Sequence, residues 1–295
     1  MNGLSCYTGC LAAYLAGDGI DAAELLADSI RLAVRIDLPD AALAFSHHRV
    51  PLNRLPDGTE LSYATVDAAE ATALIAEELA ATGRVIVVVN NAELPWSPSY
   101  GCGPNAPHWL LVDGRCGDRW HVLDPFSGLL PNGEQEPFTG WLPTRSLLDA
   151  AIVPRPWTPE QHRRNELAFG FPVRVPSGPG VTCLRRSPPS GDSPLPGRWL
   201  LTYAETLPFL TDYLGEHLTR STPVSDDVWA VAQHHAFRHH WLAKQGDSER
   251  HLAFADAWSA LPQALRFATE SAARGRPRVG LLNTTLDYLL VLETS

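Results

Sequence analysis

The apolar pattern at the start of the chain predicts helices. Residues 6–16 form an apolar run that indicates a short helix ended by Gly17 and Gly19. Residues 21–28 also have a helical pattern, and alanines recur at helical spacing from Thr65 to Ala81. Thr65 is expected to be the N-cap of that helix, because a threonine hydroxyl can accept a hydrogen bond from the first helical turn.

Strand patterns follow in the next part of the chain. The uninterrupted β-branched run Arg84–Asn90 predicts a buried central strand. Residues 107–114 and 120–125 predict two further strands, joined by the turn-like residues 114–118. The stretch 91–107 is rich in Pro, Gly and Ser, and loops beside such a strand often wall a substrate channel.

The remainder of the chain is predicted to be a proline-rich connection followed by helices. Residues 171–197 are rich in proline and glycine, which is typical of a linker or an extended covering arm. Four helical patterns follow: the stripe Leu207, Leu210, Leu214 and Leu218, then Val228–Leu242, Phe254–Ala273 interrupted by Pro262, and Leu281–Leu292. We therefore expect a domain at 1–165, a linker or arm at 166–197 and a helical domain at 198–295.

Three residues of the first domain have the chemistry of a thiol nucleophile. Cys6 begins the first predicted helix, and His108 and Asp124 lie on the two strands after the buried one. If residues 114–118 form the loop between these strands, then Asp113 pairs with Arg119 and His108 lies directly opposite Asp124. Directly opposed residues have Cβ atoms about 4.5–5.5 Å apart, which allows an imidazole–carboxylate hydrogen bond.

Each residue type has a definite role in that chemistry. Only a thiolate attacks, and helix N-terminal dipoles and a neighbouring imidazolium both stabilise the anion. The histidine accepts the thiol proton and later returns one to the leaving group, while the aspartate fixes the histidine tautomer. Taken singly, an apolar helix with Cys6 and Cys10, or a strand histidine, is as well explained by packing.

These motifs resemble the papain-like cysteine enzymes of the bacteriocin leader-peptidase type, and more specifically the butirosin biosynthesis protein H family. The matching elements are Cys6, the run His108–Gly114 and the step Val122–Pro125, and the resemblance covers roughly residues 1–150. It implies an α+β fold: a papain-like, cysteine-peptidase-like domain with an antiparallel sheet and an N-terminal catalytic helix, here followed by a mostly helical C-terminal domain. The catalytic residues it implies are Cys6, His108 and Asp124, and the reaction it implies is amide formation.

The sequence departs from the papain-like pattern before the nucleophile. Papain-like enzymes usually carry a glutamine a few residues before the cysteine, and none precedes Cys6 here. Asn2 and the backbone N–H of Cys6 are the candidate oxyanion donors in its place. Tyr100, Trp109 and His235 are further candidates for substrate binding.

Other histidines and cysteines are candidates for a different site. His235 and His239 lie four residues apart, a spacing that metal ligands can adopt, but no third ligand is evident and no metal is expected. His121 should point to the strand face opposite Asp124. Cys10 is expected to pack inward, and Cys102 is a rival nucleophile that begins no helix.

Composition limits the partners and the compartment. The 295-residue chain has a formal net charge of −10 at pH 7, which disfavours nucleic-acid binding, and no apolar run is long enough to cross a bilayer. Five cysteines without metal spacing and no secretory signal predict a cytoplasmic protein without a disulfide framework.

One stretch of the chain is basic. Residues 151–200 carry seven basic and three acidic side chains, a composition that fits either an acidic partner or a solvated linker. The acidic partner would be an acyl carrier protein or thiolation domain. The basic residues used for that expectation are Arg155, Arg163, Arg164, Arg174, Arg185 and Arg186.

The function expected from these observations is acyl transfer in bacterial natural-product biosynthesis. Cys6 would attack an acyl thioester on a carrier protein or pantetheine, and the acyl-Cys6 intermediate would be resolved by a small-molecule acceptor: an amine, a carbanion in cyclisation, or water. No cofactor is expected beyond the phosphopantetheine that carries the substrate. Two alternatives stay open: a cysteine peptidase acting on a leader or small peptide, and a non-catalytic binding protein.

Overall fold

A computed structural model describes residues 4–102, 106–130, 133–152, 156–170, 173, 175, 178–189, 197–217, 222–246 and 248–294. The α-helices are α1 (Cys6–Ala16), α2 (Ala22–Ser29), α3 (Ala68–Thr82), α4 (Thr144–Ala151), α5 (Pro159–Phe169), α6 (Tyr203–His217), α7 (Thr222–Gln245), α8 (Ser248–Ala273) and α9 (Gly280–Thr294). The strands are β1 (Ile30–Arg35), β2 (Ala44–His48), β3 (Glu60–Val66), β4 (Val85–Asn90), β5 (Pro107–Cys116), β6 (Arg119–Asp124), β7 (Gly128–Leu130), β8 (Gly133–Gln135), β9 (Phe138–Pro143), β10 (Val181–Ser187) and β11 (Trp199–Leu200). The protein is a mixed α/β structure with antiparallel sheets, as predicted at that level.

The chain folds into two compact units that each combine separate segments. The first unit contains residues 1–22 and 50–192, and the second contains 23–49 and 193–295. This division differs from the one predicted at 165 and 197, because 23–49 joins the C-terminal helices. The pattern along the chain did not show that β1 pairs with β2 on one side and, on the other, with β11, which lies far away in sequence.

The sheet of the first unit corrects the linker prediction. Its strand order is β3-β10-β4-β5-β6-β9, so β10 lies between two other strands rather than in a connecting arm. Cys183 and Leu184 are fully buried in β10, and Cys183 opposes Ala64 on one side and Val87 on the other. Because prolines lie on both sides of this strand, the composition of the stretch predicted a linker, although the strand itself is a short run apolar enough for a sheet interior.

Two arginines from the predicted basic stretch are neutralised within this sheet. Arg185 Nε lies 3.2 Å from the buried Glu78 carboxylate, and Arg186 pairs with Asp18 at 3.2 Å and Asp57 at 3.1 Å. They therefore do not form a free basic surface for an acidic partner. Arg155 and Arg174 lie outside the described residues.

The central strand and the helix before it test two further predictions. β4 is buried along its whole length, which confirms the prediction for Arg84–Asn90. α3 begins three residues later than expected, after Asp67, so the prediction of Thr65 as its N-cap is wrong. Thr65 lies in β3 instead, where its hydroxyl is 2.8 Å from that of Thr182 across the strand pair.

The second unit contains the predicted helices and an unpredicted sheet. Leu207, Leu210 and Leu214 on α6 are buried, as the apolar stripe indicates, and Leu218 lies outside the described residues. α8 continues through Pro262, where an interruption was expected. The order of the three-stranded sheet is β11-β1-β2. None of the helices in the described ranges combines the length and the apolar character needed to cross a membrane.

A cluster of buried histidines lies in the core of the second unit. His47 stacks on His234 with ring centroids 5.3 Å apart, and His48 meets the edge of the same ring at 5.0 Å. His48 Nδ1 lies 2.8 Å from Ser29 Oγ, and His235 Nδ1 lies 2.6 Å from Tyr203 Oη. Burial lowers the pKa of His234 to about 3 and lowers the pKa values of His48 and His235 well below the ordinary range. The rings of His48, His234 and His235 are therefore neutral in the folded protein at neutral pH.

This cluster should make the protein less stable in acid. An unfolded imidazole titrates near pH 6.5, so between roughly pH 6.5 and 3 the unfolded chain binds more protons than the folded one. Each such group then lowers the free energy of unfolding by up to about 1.4 kcal/mol per pH unit. We expect the thermal midpoint, followed by far-UV circular dichroism, to fall as the pH is lowered from about 7 to about 4. His234→Gln should reduce this slope, whereas the exposed His240→Gln on the same helix should not; equal slopes in both variants would contradict the assignment.

Candidate active site

The first turn of α1 presents Cys6 at a helix N-terminus. Ser5 is the N-cap: its hydroxyl accepts from the backbone N–H of Thr8 at 3.1 Å, and the Thr8 hydroxyl accepts from the Ser5 N–H at 2.7 Å. Cys6 is half-buried and is the first helical residue. Within the described part of the chain, the N–H groups of Cys6 and Tyr7 have no acceptor, as expected for the first helical positions.

The other face of α1 anchors the helix to the sheet. The hydroxyl of Tyr7 donates to the Leu52 carbonyl at 3.0 Å. The centroid of the Tyr7 ring lies 4.0 Å from that of the Phe169 ring and 6.0 Å from that of the Trp109 ring. Cys10 is fully buried, which confirms that it packs inward, and its Sγ donates to the Trp109 carbonyl at 3.1 Å. Burial raises the pKa of Cys10 well above its ordinary value, so this thiol stays protonated.

The hairpin of β5 and β6 does not have the predicted register. Cys116 pairs with Arg119, so the turn has only two residues, and a bulge between Val112 and Gly114 shifts the register beyond it. The ladder then pairs Leu111 with Leu123. His108 is therefore displaced diagonally from Asp124 by two residues, and the prediction that they lie directly opposite is wrong. Diagonal neighbours are about 7–8 Å apart at the backbone, still within reach of a long side chain.

The contact between the two residues forms despite this displacement. His108 Nε2 donates to Asp124 Oδ2 at 2.9 Å, and the side chains are 7% and 0% exposed. Because Nε2 is bonded to the aspartate, Nδ1 is the ring nitrogen left for the interaction with Cys6. The edge of the His108 ring also faces Phe126, with centroids 5.9 Å apart.

Two residues that hold Asp124 were not found from the sequence. Trp96 Nε1 donates to Asp124 Oδ2 at 2.8 Å and Gln135 Nε2 donates to the same oxygen at 2.9 Å, while the Phe126 N–H donates to Oδ1 at 3.3 Å. Trp96 lies in the stretch predicted to be a loop, and its ring stacks on Phe138 at 3.9 Å. A tryptophan that can only donate a hydrogen bond, in a polar loop before the histidine strand, was the one available signal.

The charges around His108 favour its protonated form. Burial lowers the pKa of His108, but the negative charges of Cys6 and Asp124 and the hydrogen bonds to both raise it to about 10. The imidazolium beside Cys6 thus persists over the physiological pH range. A cation and a helix N-terminus next to one sulfur atom are the two features that stabilise a thiolate.

The additional candidates for substrate binding do not join this cluster. Asn2 lies outside the described residues. Trp109 is 1% exposed, with its ring packed against Tyr7 and Phe169, so it supports α1 rather than lining a site. Tyr100 is 55% exposed on the loop before β5, and its side chain makes no hydrogen bond or ring contact with other described residues. His235 is 1% exposed in the core of the second unit, stacked on Trp258 at 4.6 Å.

The other candidates, Cys102 as a nucleophile, His121 and a metal site, have less structural support. Cys102 is exposed and lies in a turn, with its Sγ 3.7 Å from the Pro98 carbonyl. His121 lies 2.6 Å from Asp113 on the exposed side of the hairpin, away from Asp124 as predicted. Across the ranges that the structure describes, no three His, Cys, Asp or Glu side chains are grouped to hold a metal ion.

The geometry predicts that Cys6 reacts selectively with alkylating agents. With iodoacetamide at about pH 6, Cys6 should be labelled roughly tenfold or more faster than the exposed Cys102 and Cys116, because an ordinary thiol is almost fully protonated there. Peptide mass spectrometry over time measures the three rates. His108→Ala should remove the advantage of Cys6, and the matched variant His121→Ala should keep it. Labelling of Cys6 at the rate of Cys116 in the unaltered protein would contradict this electrostatic picture.

Comparisons with known proteins do not identify the chain. No protein-family model matches it, and no curated protein has significant sequence similarity to it. Its chemistry must therefore be argued from the geometry of the site.

Proposed function

We propose that the protein is a cysteine-dependent acyltransferase that forms an acyl-Cys6 intermediate from an acyl thioester. The observation that carries this proposal is the orientation of His108, whose Nε2 is fixed by Asp124 at 2.9 Å so that Nδ1 is left for the sulfur of Cys6 at the start of α1. Such a set provides a nucleophile, a proton carrier and an orienting acid. A cysteine helix packed on an antiparallel sheet that carries the histidine also supports a papain-like fold, as part of the same proposal.

Acylation requires one nucleophilic attack and one proton transfer. The Cys6 thiolate attacks the thioester carbonyl, and the carbonyl oxygen becomes an oxyanion. The backbone N–H groups of Cys6 and Tyr7, which have no acceptor among the described residues, would donate to that oxygen in place of the glutamine amide of papain-like enzymes. When the intermediate collapses, the bond to the leaving sulfur breaks, and the imidazolium of His108 gives that sulfur its proton.

Deacylation reverses these roles. His108, now neutral, accepts a proton from the acceptor as the acceptor attacks the acyl-Cys6 carbonyl. The bond between the acyl carbon and Cys6 breaks, and the sulfur leaves as the thiolate beside the imidazolium, which restores the starting state. An amine gives an amide, a carbanion gives a ring and water gives a free acid.

A thioester fits this ion pair better than a peptide does. An amide nitrogen is a poor leaving group unless it is protonated in the transition state, so peptide cleavage demands a strong acid at the leaving atom. A departing thiolate is stable enough to need little proton transfer. We propose a pantetheine thioester presented on an acyl carrier protein or thiolation domain as the substrate class.

The proposal is tested by trapping the intermediate. After incubation with acetyl-pantetheine, the intact mass should increase by one acetyl group, and addition of a primary amine should remove that group as an amide. Cys6→Ala should form no adduct, and Cys102→Ala should form it normally. Absence of any Cys6-dependent adduct from thioesters, together with Cys6-dependent cleavage of peptides, would replace this proposal with a peptidase.

The roles of His108 and Asp124 predict graded losses of activity. His108→Ala should slow acyl transfer by about 10²–10⁴-fold, because the proton carrier is removed. Asp124→Asn should lose less: its amide oxygen can take the place of Oδ2, which accepts from His108, Trp96 and Gln135, leaving a single conflict between the amide NH₂ and the Phe126 N–H.

The dependence of kcat on pH in Asp124→Asn separates the effect of the Asp124 charge from its effect on the orientation of His108. Asp124→Asn removes a negative charge that raises the pKa of His108, so the alkaline limb of kcat should move to lower pH. Asp113→Asn, which alters the other carboxylate–histidine pair of the hairpin, is the matched control and should leave the profile unchanged. Equal profiles for Asp124→Asn and Asp113→Asn would refute the role given to Asp124.

A further inference from the structure

The second unit contains a cavity that the proposed acyl transfer does not use. Its volume is about 490 Å³, which falls in the range of small-molecule sites, roughly 300–1,000 Å³. It is lined by parts of β1, α7 and α8, by the residue after β2 and by the start of α6. Every lining residue belongs to the second unit, so the cavity can be described without reference to Cys6.

The cavity wall carries a strong excess of positive charge. Arg31, Arg49, Arg238 and Arg250 all line it, and each comes from a different element or connection. Glu293 is the one carboxylate among the lining residues that the structure describes. Burial, and then the charge of Arg49, lowers the pKa of Arg31, as expected for two guanidinium groups facing the same space.

The hydrogen-bonding capacity of these arginines is largely unused. No carboxylate in the described ranges forms an ion pair with any of the four guanidinium groups. Arg31 donates only to the Ser46 hydroxyl, at 2.9 and 3.3 Å, and Arg250 only to the Leu292 carbonyl, at 3.3 Å. Arg238 forms a side-chain hydrogen bond with Tyr203, but its Nε is buried without a partner among the described residues. Arg49 and Arg250 are exposed, so water meets their other donors, whereas Arg31 and Arg238 are half-buried. Because a guanidinium group has five N–H donors, all four retain donors that an anion entering the cavity can engage.

Other features of the wall support an anionic ligand with an organic part. Tyr203, the first residue of α6, lines the cavity with Leu201 and Thr202, although Thr202 already caps this helix and Glu205 lies in its first turn. His239 also lines it, and its Nε2 is buried without a partner. Leu32, Leu242 and Phe254 give the same cavity an apolar side. A bare inorganic anion would leave that side uncovered.

We propose that this cavity binds an organic phosphate, with the phosphate groups held by the arginines and the organic part against the apolar side. Phosphate fits because its oxygens accept bidentate hydrogen bonds from guanidinium groups, and a diphosphate can engage several arginines at once. Nucleotides and phosphopantetheine share this chemistry. The site is independent of the proposed acyl transfer, since it lies within the second unit and involves no residue of the Cys6 site.

Isothermal titration calorimetry on the full chain tests the proposal with defined probes. Pyrophosphate, ADP and 4′-phosphopantetheine represent the anion and its two sources, and adenosine and pantetheine are the matched probes without phosphate. We expect binding of the phosphorylated probes only, with ADP or phosphopantetheine tighter than pyrophosphate, and the tighter of the two identifies the source. Failure of all three phosphorylated probes to bind, or equal binding of the phosphate-free probes, would overturn the proposal.

Variants of exposed arginines test which residues hold the phosphate. Arg49→Gln and Arg250→Gln should each weaken binding about tenfold or more, because each removes a charge-assisted hydrogen bond. Arg266→Gln, on the exposed face of α8, is the matched control and should bind normally. Circular dichroism confirms that each variant is folded. Normal binding by the double variant of Arg49 and Arg250 would refute this site.

A final comparison keeps the two proposals separate. Cys6→Ala should bind the phosphorylated probe with unchanged affinity, and Arg49→Gln should still form the acyl adduct on Cys6. Loss of phosphate binding in Cys6→Ala would contradict the assignment of the ligand to the second unit.

Discussion

The buried carboxylate of Asp124 is the constraint that organises the first unit. An ionised carboxylate without water is costly unless its oxygens accept hydrogen bonds, and here one oxygen accepts from three side chains. Trp96 and Gln135 come from the segments that precede and follow the hairpin. Satisfying Asp124 therefore requires these segments to fold around the hairpin, and the same requirement fixes which nitrogen of His108 faces Cys6.

The distance between Cys6 and His108 is fixed by a short structural path. Cys10 lies one helical turn after Cys6, and its thiol bonds the carbonyl of Trp109, the residue next to His108. Tyr7 packs against the same tryptophan. Two positions of α1 and one position of β5 thus hold Cys6 and His108 together, so the buried thiol of Cys10 helps to place the thiol of Cys6.

The sequence was sufficient for elements whose signal is local. The β-branched run of β4 and the apolar stripe of α6 are both where they were predicted. Each signal, a run of buried residues or a helical spacing of apolar residues, lies within one short segment of the sequence. The pairing of β10 with β3 and β4 was not predictable, because it joins segments that are distant in sequence. The two-residue turn and the bulge at Asp113 also have no clear local signal, although together they displace His108 two positions along the ladder from the predicted register.

Two groups of arginines in this protein differ in whether carboxylates pair with them. In the first unit, Arg185 forms an ion pair with Glu78, and Arg186 forms ion pairs with Asp18 and Asp57. These pairs stabilise the sheet and leave few guanidinium donors for a ligand. The arginines around the cavity of the second unit repel one another instead, and that repulsion has a cost in stability. Nearby histidines avoid a similar cost by staying neutral, as the lowered pKa of His239, about 3, shows. Arginine cannot lose its proton in this way, and within the described ranges neither Glu293 nor another carboxylate forms an ion pair with these four arginines, which favours the proposed anion from solution.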